Sequence, residues 1–86
     1  MTYQIKLAKP AEKNLDKLDK STRERILDFL YTRVRPDPFL LRESLRGNKK
    51  GLWKYRVGDY RIICEIKNSE LVVLIIEIGH RREVYH

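Results

Sequence analysis

The pattern of apolar and polar positions predicts a short strand followed by two helices. Tyr3, Ile5 and Leu7 alternate with polar residues, which is the period of a half-buried strand. Pro10 suits the first turn of a helix. Apolar residues then recur at helical spacing, first at Ala11, Leu15 and Leu18 and then at Ile26, Leu27, Leu30, Tyr31 and Val34. Two short antiparallel helices are therefore expected after the first strand.

Capping and proline signals mark the boundaries of the second helix. Ser21 and Glu24 have the spacing of a capping box, which predicts that the helix begins there. Pro36 and Pro38 end it, because proline removes a backbone donor and disfavours the helical conformation of the residue before it. The segment Phe39–Gly51 is predicted to be a connection.

A β-hairpin is predicted after this connection. Leu52–Val57 and Tyr60–Ile66 are strand-like runs, and only Gly58 and Asp59 separate them. Glycine at the first position of a two-residue loop is typical of a type II′ turn. The register of the two strands is therefore fixed by the turn.

The last apolar run predicts a central strand. Leu71–Ile78 is apolar at nearly every position, as expected for a strand covered on both faces. Gly79 is predicted to end it, and His80–His86 to form a polar tail or an edge strand. The predicted fold is one α+β domain of residues 1–86, in which a helical hairpin packs on a mainly antiparallel sheet.

Composition excludes several classes of protein. The chain has 86 residues, of which 42% are hydrophobic and 36% charged, a globular balance. Cys64 is the single cysteine and cannot form an internal disulfide. The first residues lack the apolar segment of a signal peptide, and Leu71–Ile76 is far shorter than the ~20 residues of a membrane span. A small soluble cytoplasmic protein is expected, with no membrane partner.

Positive charge is concentrated around the hairpin. The chain has 19 Lys and Arg against 12 Asp and Glu, a net charge of +7. Between Arg46 and Arg61 there are six basic residues and one acidic residue, a local net charge of +5. Such a concentration on a small domain indicates an anionic partner, which could be nucleic acid, an acidic protein or a membrane surface.

The hairpin register places three cations on one face. Arg56 lies opposite Arg61, and Lys54, two residues before Arg56, lies on the same side. The other face is apolar and is predicted to face the core; it carries Trp53, Tyr55, Val57, Tyr60, Ile62 and Cys64. Trp53 and Tyr55 are therefore not expected to serve as stacking platforms for bases.

The pairing of Arg56 with Arg61 is not favoured by folding alone, because like charges opposite each other destabilise a sheet by up to ~1 kcal/mol. An anion between them would offset the repulsion, and guanidinium groups suit bidentate contacts with phosphate. The alternative is that both arginines extend into solvent, where the repulsion is screened. The first interpretation predicts a phosphate site on two rigid strands.

Sequence motifs extend from the hairpin to the end of the chain. They are Leu45-Arg46-Gly47, the run LWKYRVGDYR at 52–61, Gly79-His80-Arg81 and Val84-Tyr85. Together with the order of helices and strands, these motifs resemble the RelE/ParE superfamily of bacterial toxins over essentially the whole chain. The resemblance implies the RelE-like order β-α-α-β-β-β with an optional further strand.

The RelE-like branch, which the chain resembles, implies a ribosome-dependent endoribonuclease. Such toxins cut messenger RNA in the ribosomal A site by attack of the ribose 2′-hydroxyl on the adjacent phosphate, without a metal or other cofactor. A cognate antitoxin protein neutralises them. The ParE-like branch implies a different function, inhibition of DNA gyrase without nuclease activity, and this alternative stays open.

The resemblance also assigns roles to residues. Arg61 and Arg56 are expected to hold the phosphate. Lys54 is the expected base, provided that neighbouring cations favour its uncharged form. Arg81 would stabilise or protonate the leaving oxygen, and Tyr85 would orient a base or assist proton transfer. RNA binding is expected at Arg46, Lys49, Lys50, His80 and Arg82.

Overall fold

Two helices cover one face of a five-stranded sheet in the computed structural model, which describes residues 2–45 and 51–80. The strands are β1 (Gln4–Leu7), β2 (Glu43–Ser44), β3 (Leu52–Val57), β4 (Tyr60–Lys67) and β5 (Val72–His80). The helices are α1 (Lys9–Asp16) and α2 (Lys20–Phe29), and a π-helical turn at Leu30–Val34 extends α2. A 3₁₀ turn at Asn68–Glu70 precedes β5. Within the described ranges, no helix has the length and apolar character needed to cross a membrane.

The strand order is β1-β5-β4-β3-β2. Among the strands of the described residues, only β1 pairs in parallel, with β5, and the other three pairings are antiparallel. The predicted α+β class and the mainly antiparallel sheet are therefore confirmed.

Two details of the predicted sheet differ. The sheet contains a short strand that was not predicted, β2, which lies inside the segment Phe39–Gly51 that was predicted to be a connection. The prediction that Gly79 ends the last strand is wrong, because Gly79 pairs with Arg61 and β5 continues to His80. The tail after His80 lies outside the described residues. Sheet pairing holds Gly79 in the strand despite its low intrinsic preference for one.

The second helix begins two residues earlier than the capping box predicted, at Lys20. Asp19 is the N-cap, and its carboxylate accepts hydrogen bonds from the backbone N–H and the hydroxyl of Thr22 and from the hydroxyl of Ser21. These bonds, led by the one from the Thr22 side chain, lower the pKa of Asp19 to about 2. The prediction that Ser21 and Glu24 cap the helix is therefore wrong, because a carboxylate two residues earlier satisfies the free backbone donor.

The core lies between the helices and the sheet. Its fully buried side chains include Ile26 and Leu30 from the helical layer, which meet Ile62, Cys64 and Ile75 from the sheet. Burial raises the pKa of the Cys64 thiol from its usual 9.0 to about 12. Cys64 therefore behaves as a small apolar residue of the core.

We expect the folded state to lose stability as pH rises above 9, the usual pKa of this thiol. In the unfolded chain the thiol ionises there, whereas the folded state keeps Cys64 protonated, so rising pH stabilises the unfolded state relative to the folded state. The slope is at most about 1.4 kcal/mol per pH unit for one group. Urea unfolding at pH 8, 9 and 10 measures it, and Cys64→Ala should flatten the decline. An equal decline in both proteins would assign it to other groups.

The hairpin turn has the predicted geometry. The φ angle is +59° at Gly58, and Asp59 does not adopt a positive φ, which is the pattern of a type II′ turn. The two strands are joined by this turn in the predicted register, with Val57 opposite Tyr60. The guanidinium of Arg25, from α2, packs against Gly58, at 3.0 Å from where a Cβ would lie.

We expect Gly58→Ala to destabilise the protein by about 1–2 kcal/mol, because a non-glycine residue is strained at positive φ. Gly51→Ala is the matched control, since Gly51 has φ +81° and open space around its Cβ position. The excess loss at Gly58 measures the clash between the added methyl group and the Arg25 guanidinium, and it should shrink in an Arg25→Ala background. Chemical denaturation provides the comparison, and equal losses at the two glycines would show that Arg25 moves aside at no cost.

Candidate active site

The hairpin presents Lys54, Arg56 and Arg61 on the sheet face opposite the helices, and these three residues are called the cationic face below. Arg56 pairs directly with Arg61, and Lys54 pairs with Ile63. Tyr55 and Ile62, which alternate with them, belong to the core on the helical side. The predicted placement of three cations on one face of the sheet is therefore confirmed.

The cationic face has a buried centre and an exposed edge. Lys54 and Arg61 are only 8% and 5% exposed, although both are charged residue types that are seldom buried. The Arg56 side chain is 57% exposed. Strand backbone and burial restrict the first two side chains, whereas Arg56 remains accessible to a large ligand.

One carboxylate contacts the exposed edge of the cationic face. The Nε of Arg56 donates to both carboxylate oxygens of Glu43, at 3.2 and 3.3 Å. Glu43 lies in β2 opposite Lys54. This acid was not identified from the sequence, since β2 has only two residues and no recognisable alternation. The repulsion between Arg56 and Arg61 was the available signal, because it called for an anion nearby.

The aromatic residues of β3 lie on the helical side, as predicted. Tyr55 is fully buried, and its hydroxyl donates to the backbone carbonyl of Pro38 at 2.5 Å. Burial raises the pKa of the Tyr55 phenol well above its ordinary value. Trp53 is partly buried, and the guanidinium of Arg42 stacks on its ring at 4.2 Å from the centroid. Neither ring offers its faces to a base on the cationic side.

His80 is separated from the cationic face by the sheet. It pairs with Tyr60, and the two rings meet edge to face at 5.6 Å between centroids. Arg61 and its partner Gly79 form the adjacent pair, so the Arg61 side chain lies on the opposite face of the sheet. The expected RNA contact of His80 stays a prediction, and it would have to be made at the end of the sheet.

The other predicted site residues lie outside the described part of the chain. They are Arg46, Lys49 and Lys50 before β3, and Arg81, Arg82 and Tyr85 after β5. The structure therefore brings together three of the five predicted catalytic residues, Lys54, Arg56 and Arg61.

The cationic face is suited to bind a phosphodiester. A guanidinium fork and an ammonium group held on paired strands offer directed donors to phosphate oxygens. Because Lys54 and Arg61 are already largely desolvated, their interaction with an anion is weakened less by water than that of an exposed cation.

Comparison with known proteins identifies relatives over nearly the whole chain. Residues 5–85 match the family model described as the ParE toxin of the type II toxin-antitoxin system, parDE. Toxin RelG of Mycobacterium tuberculosis (strain ATCC 25618 / H37Rv) is 25% identical over 85 residues, which cover 99% of this chain and 98% of the relative. The sequence relationship therefore spans both helices and the sheet.

Solved structures show the same fold. A chain of the RelBE2 toxin-antitoxin complex of Mycobacterium tuberculosis superposes with a TM-score of 0.86 at 23% identity, covering 94% of this chain and 100% of that chain. The archaeal RelE-RelB complex from Pyrococcus horikoshii OT3 gives a TM-score of 0.70 at 32% identity, with coverage of 94% and 97%. The chain thus belongs to the ParE toxin family of type II toxin-antitoxin systems, within the RelE/ParE superfamily.

Proposed function

We propose that this toxin blocks translation as a ribosome-dependent endoribonuclease that cuts messenger RNA in the A site. The cationic face carries the proposal, because it sets two cations with very low exposure, Lys54 and Arg61, beside an accessible arginine on rigid strands. A protein that only needed positive charge for solubility would keep these side chains in water. The ribosomal substrate places the protein in the cytoplasm.

The proposed reaction is an internal transesterification. The ribose 2′-oxygen forms a bond to the adjacent phosphorus while the bond from phosphorus to the 5′-oxygen breaks, which gives a 2′,3′-cyclic phosphate and a 5′-hydroxyl. One proton leaves the 2′-hydroxyl and one reaches the 5′-oxygen. The negative charge that develops on the phosphate oxygens is what the cations stabilise.

The residues of the chain divide these tasks. Arg61, at the buried centre, holds the scissile phosphate, and Arg56 supports it from the exposed edge. Lys54 is assigned as the base that takes the proton from the 2′-hydroxyl. Arg81 and Tyr85, by the family resemblance, act at the leaving oxygen and the neighbouring base.

We also propose that a cognate antitoxin covers the cationic face. The solved relatives from Mycobacterium tuberculosis and Pyrococcus horikoshii OT3 are complexes with antitoxins. A net charge of +7 on this chain favours an acidic segment in the partner. Neutralisation would then be direct, since the antitoxin and the messenger RNA would compete for the same cations.

The decisive experiment uses purified protein, translating ribosomes and a defined messenger RNA, with primer extension to map the ends. We expect cleavage within the A-site codon and none when the same RNA is supplied without ribosomes. Intact messenger RNA on translating ribosomes would exclude the proposed activity.

Gyrase inhibition is the second candidate, and the match to a family model described as a ParE toxin favours it. A supercoiling assay with purified gyrase separates the two functions. Loss of supercoiling together with intact messenger RNA would establish the second candidate in place of the first.

A further inference from the structure

The ion pair between Glu43 and Arg56 occupies a specific part of the guanidinium. Both contacts are made by Nε, at 3.2 and 3.3 Å from the two carboxylate oxygens. A guanidinium has five N–H donors, of which Nε supplies one and the two terminal nitrogens supply four. Engagement of Nε thus fixes the plane of the group and leaves the terminal donors for another anion.

The position of Glu43 in the sheet determines the side from which Arg56 is held. Glu43 is in β2, and β2 and β4 flank β3 on opposite sides. Glu43 pairs with Lys54, which is two residues before Arg56 in β3 and on the same face of the sheet. Arg61 pairs with Arg56 from β4, on the other side of β3. The carboxylate therefore attracts Arg56 toward the β2 edge and offsets its repulsion from Arg61.

Stability alone does not explain this contact. The two side chains are 57% and 39% exposed, and ion pairs at such positions contribute about 0–1 kcal/mol. An acid beside a face that must bind an anion also lowers its electrostatic attraction. Orientation of Arg56 is the remaining effect. A planar guanidinium with directed donors binds an anion better when its plane is fixed, whereas a compact ammonium group gains less from orientation.

We propose that Glu43 is a positioning residue for Arg56: it holds the guanidinium by Nε so that the terminal donors meet a phosphate of the bound strand. This inference rests on the proposed function, because it assumes that the cationic face receives a nucleic-acid strand. Glu43 does not touch the reacting atoms.

Two roles of Glu43 predict opposite signs for the same variant. If the carboxylate only reduces the positive potential, Glu43→Gln should tighten the binding of an anionic strand. If it positions Arg56, the same change should weaken binding despite the added net positive charge. The sign of the change therefore distinguishes the two roles without reference to catalysis.

The test measures binding of a fluorescein-labelled, single-stranded 2′-O-methyl RNA oligonucleotide by fluorescence anisotropy. This probe has no free 2′-hydroxyl, so it cannot be cleaved by the proposed reaction. We expect Glu43→Gln to raise Kd by roughly 3–10-fold, as part of a charge-assisted hydrogen bond is lost. In an Arg56→Ala background the same substitution should have no further weakening effect.

Glu70→Gln is the matched control, since Glu70 is exposed in the 3₁₀ turn before β5 and carries the same charge. We expect its Kd to equal that of the wild type or to be slightly lower. An unchanged or lower Kd for Glu43→Gln would overturn the positioning role, as would an equal loss in the presence and absence of Arg56.

Failure of the proposed function gives a different pattern. Intact messenger RNA on translating ribosomes, combined with the expected binding results, would exclude the nuclease and retain the positioning of Arg56. A-site cleavage by the wild type, combined with tighter binding by Glu43→Gln, would retain the nuclease and overturn the role of Glu43.

Discussion

Replacement of Arg61 by alanine is expected to abolish detectable messenger RNA cleavage on the ribosome. Arg61 is 5% exposed and occupies the centre of the cationic face, so its charge acts on the phosphate through little water. Removal of one such preorganised donor typically lowers a rate by about 10²–10³-fold. Primer extension under single-turnover conditions measures the loss.

The fold of this variant should remain intact. Alanine removes the packing of the arginine stem, but it also removes the like charge opposite Arg56, so the two effects on the free energy of unfolding oppose each other. Arg33→Ala is the matched control, because Arg33 is exposed in the π-helical turn on the helical layer. That control should cut at the wild-type rate. Wild-type cleavage by Arg61→Ala, in a folded protein, would exclude Arg61 from phosphate binding.

The geometry of the hairpin was predictable because it depends on local rules. A two-residue turn with glycine first fixes which residues face each other, and strict alternation then assigns each side chain to a face. Lys54, Arg56 and Arg61 could be placed together by counting alone. The burial of Lys54 and Arg61 could not be predicted in this way, because it depends on the packing of the folded sheet.

The parts that were missed depend on contacts between distant segments. The two residues of β2 form a strand only because β3 provides a pairing edge. Two residues have no recognisable periodicity, so the sequence pattern did not predict that Glu43 lies in a strand. Gly79 remains in β5 because Arg61 of β4 pairs with it, although glycine has a low preference for the interior of a strand. In both cases tertiary pairing overrides local preference.

The buried phenol of Tyr55 connects the hairpin of β3 and β4 to the segment that follows the helices. Tyr55 lies between Lys54 and Arg56 in β3, and its hydroxyl donates to the carbonyl of Pro38, in the segment after the helices. Its ring also meets Phe29 of α2 edge to face, at 6.0 Å between centroids. The same side chain therefore fills the core and satisfies a polar group that has little access to water.

Tyr55→Phe is expected to destabilise the protein by about 1–3 kcal/mol, because it leaves the Pro38 carbonyl without this donor. The midpoint of thermal unfolding should fall by roughly 5–20 °C for a domain of this size. Tyr55→Ala removes the ring as well and should lose about 3–5 kcal/mol, a large share of the total stability of a small domain. Calorimetry measures both variants.

Tyr31→Phe isolates the effect of burial, since it deletes the same hydroxyl from a side chain that is 46% exposed. Its free energy of unfolding should change by less than about 0.5 kcal/mol. The Tyr55→Phe variant should cleave messenger RNA at close to the wild-type rate at temperatures where this variant is fully folded. The hydroxyl that it lacks lies on the opposite side of the sheet from the cationic face. Equal stability of the two phenylalanine variants would show that the bond to Pro38 contributes nothing to the fold.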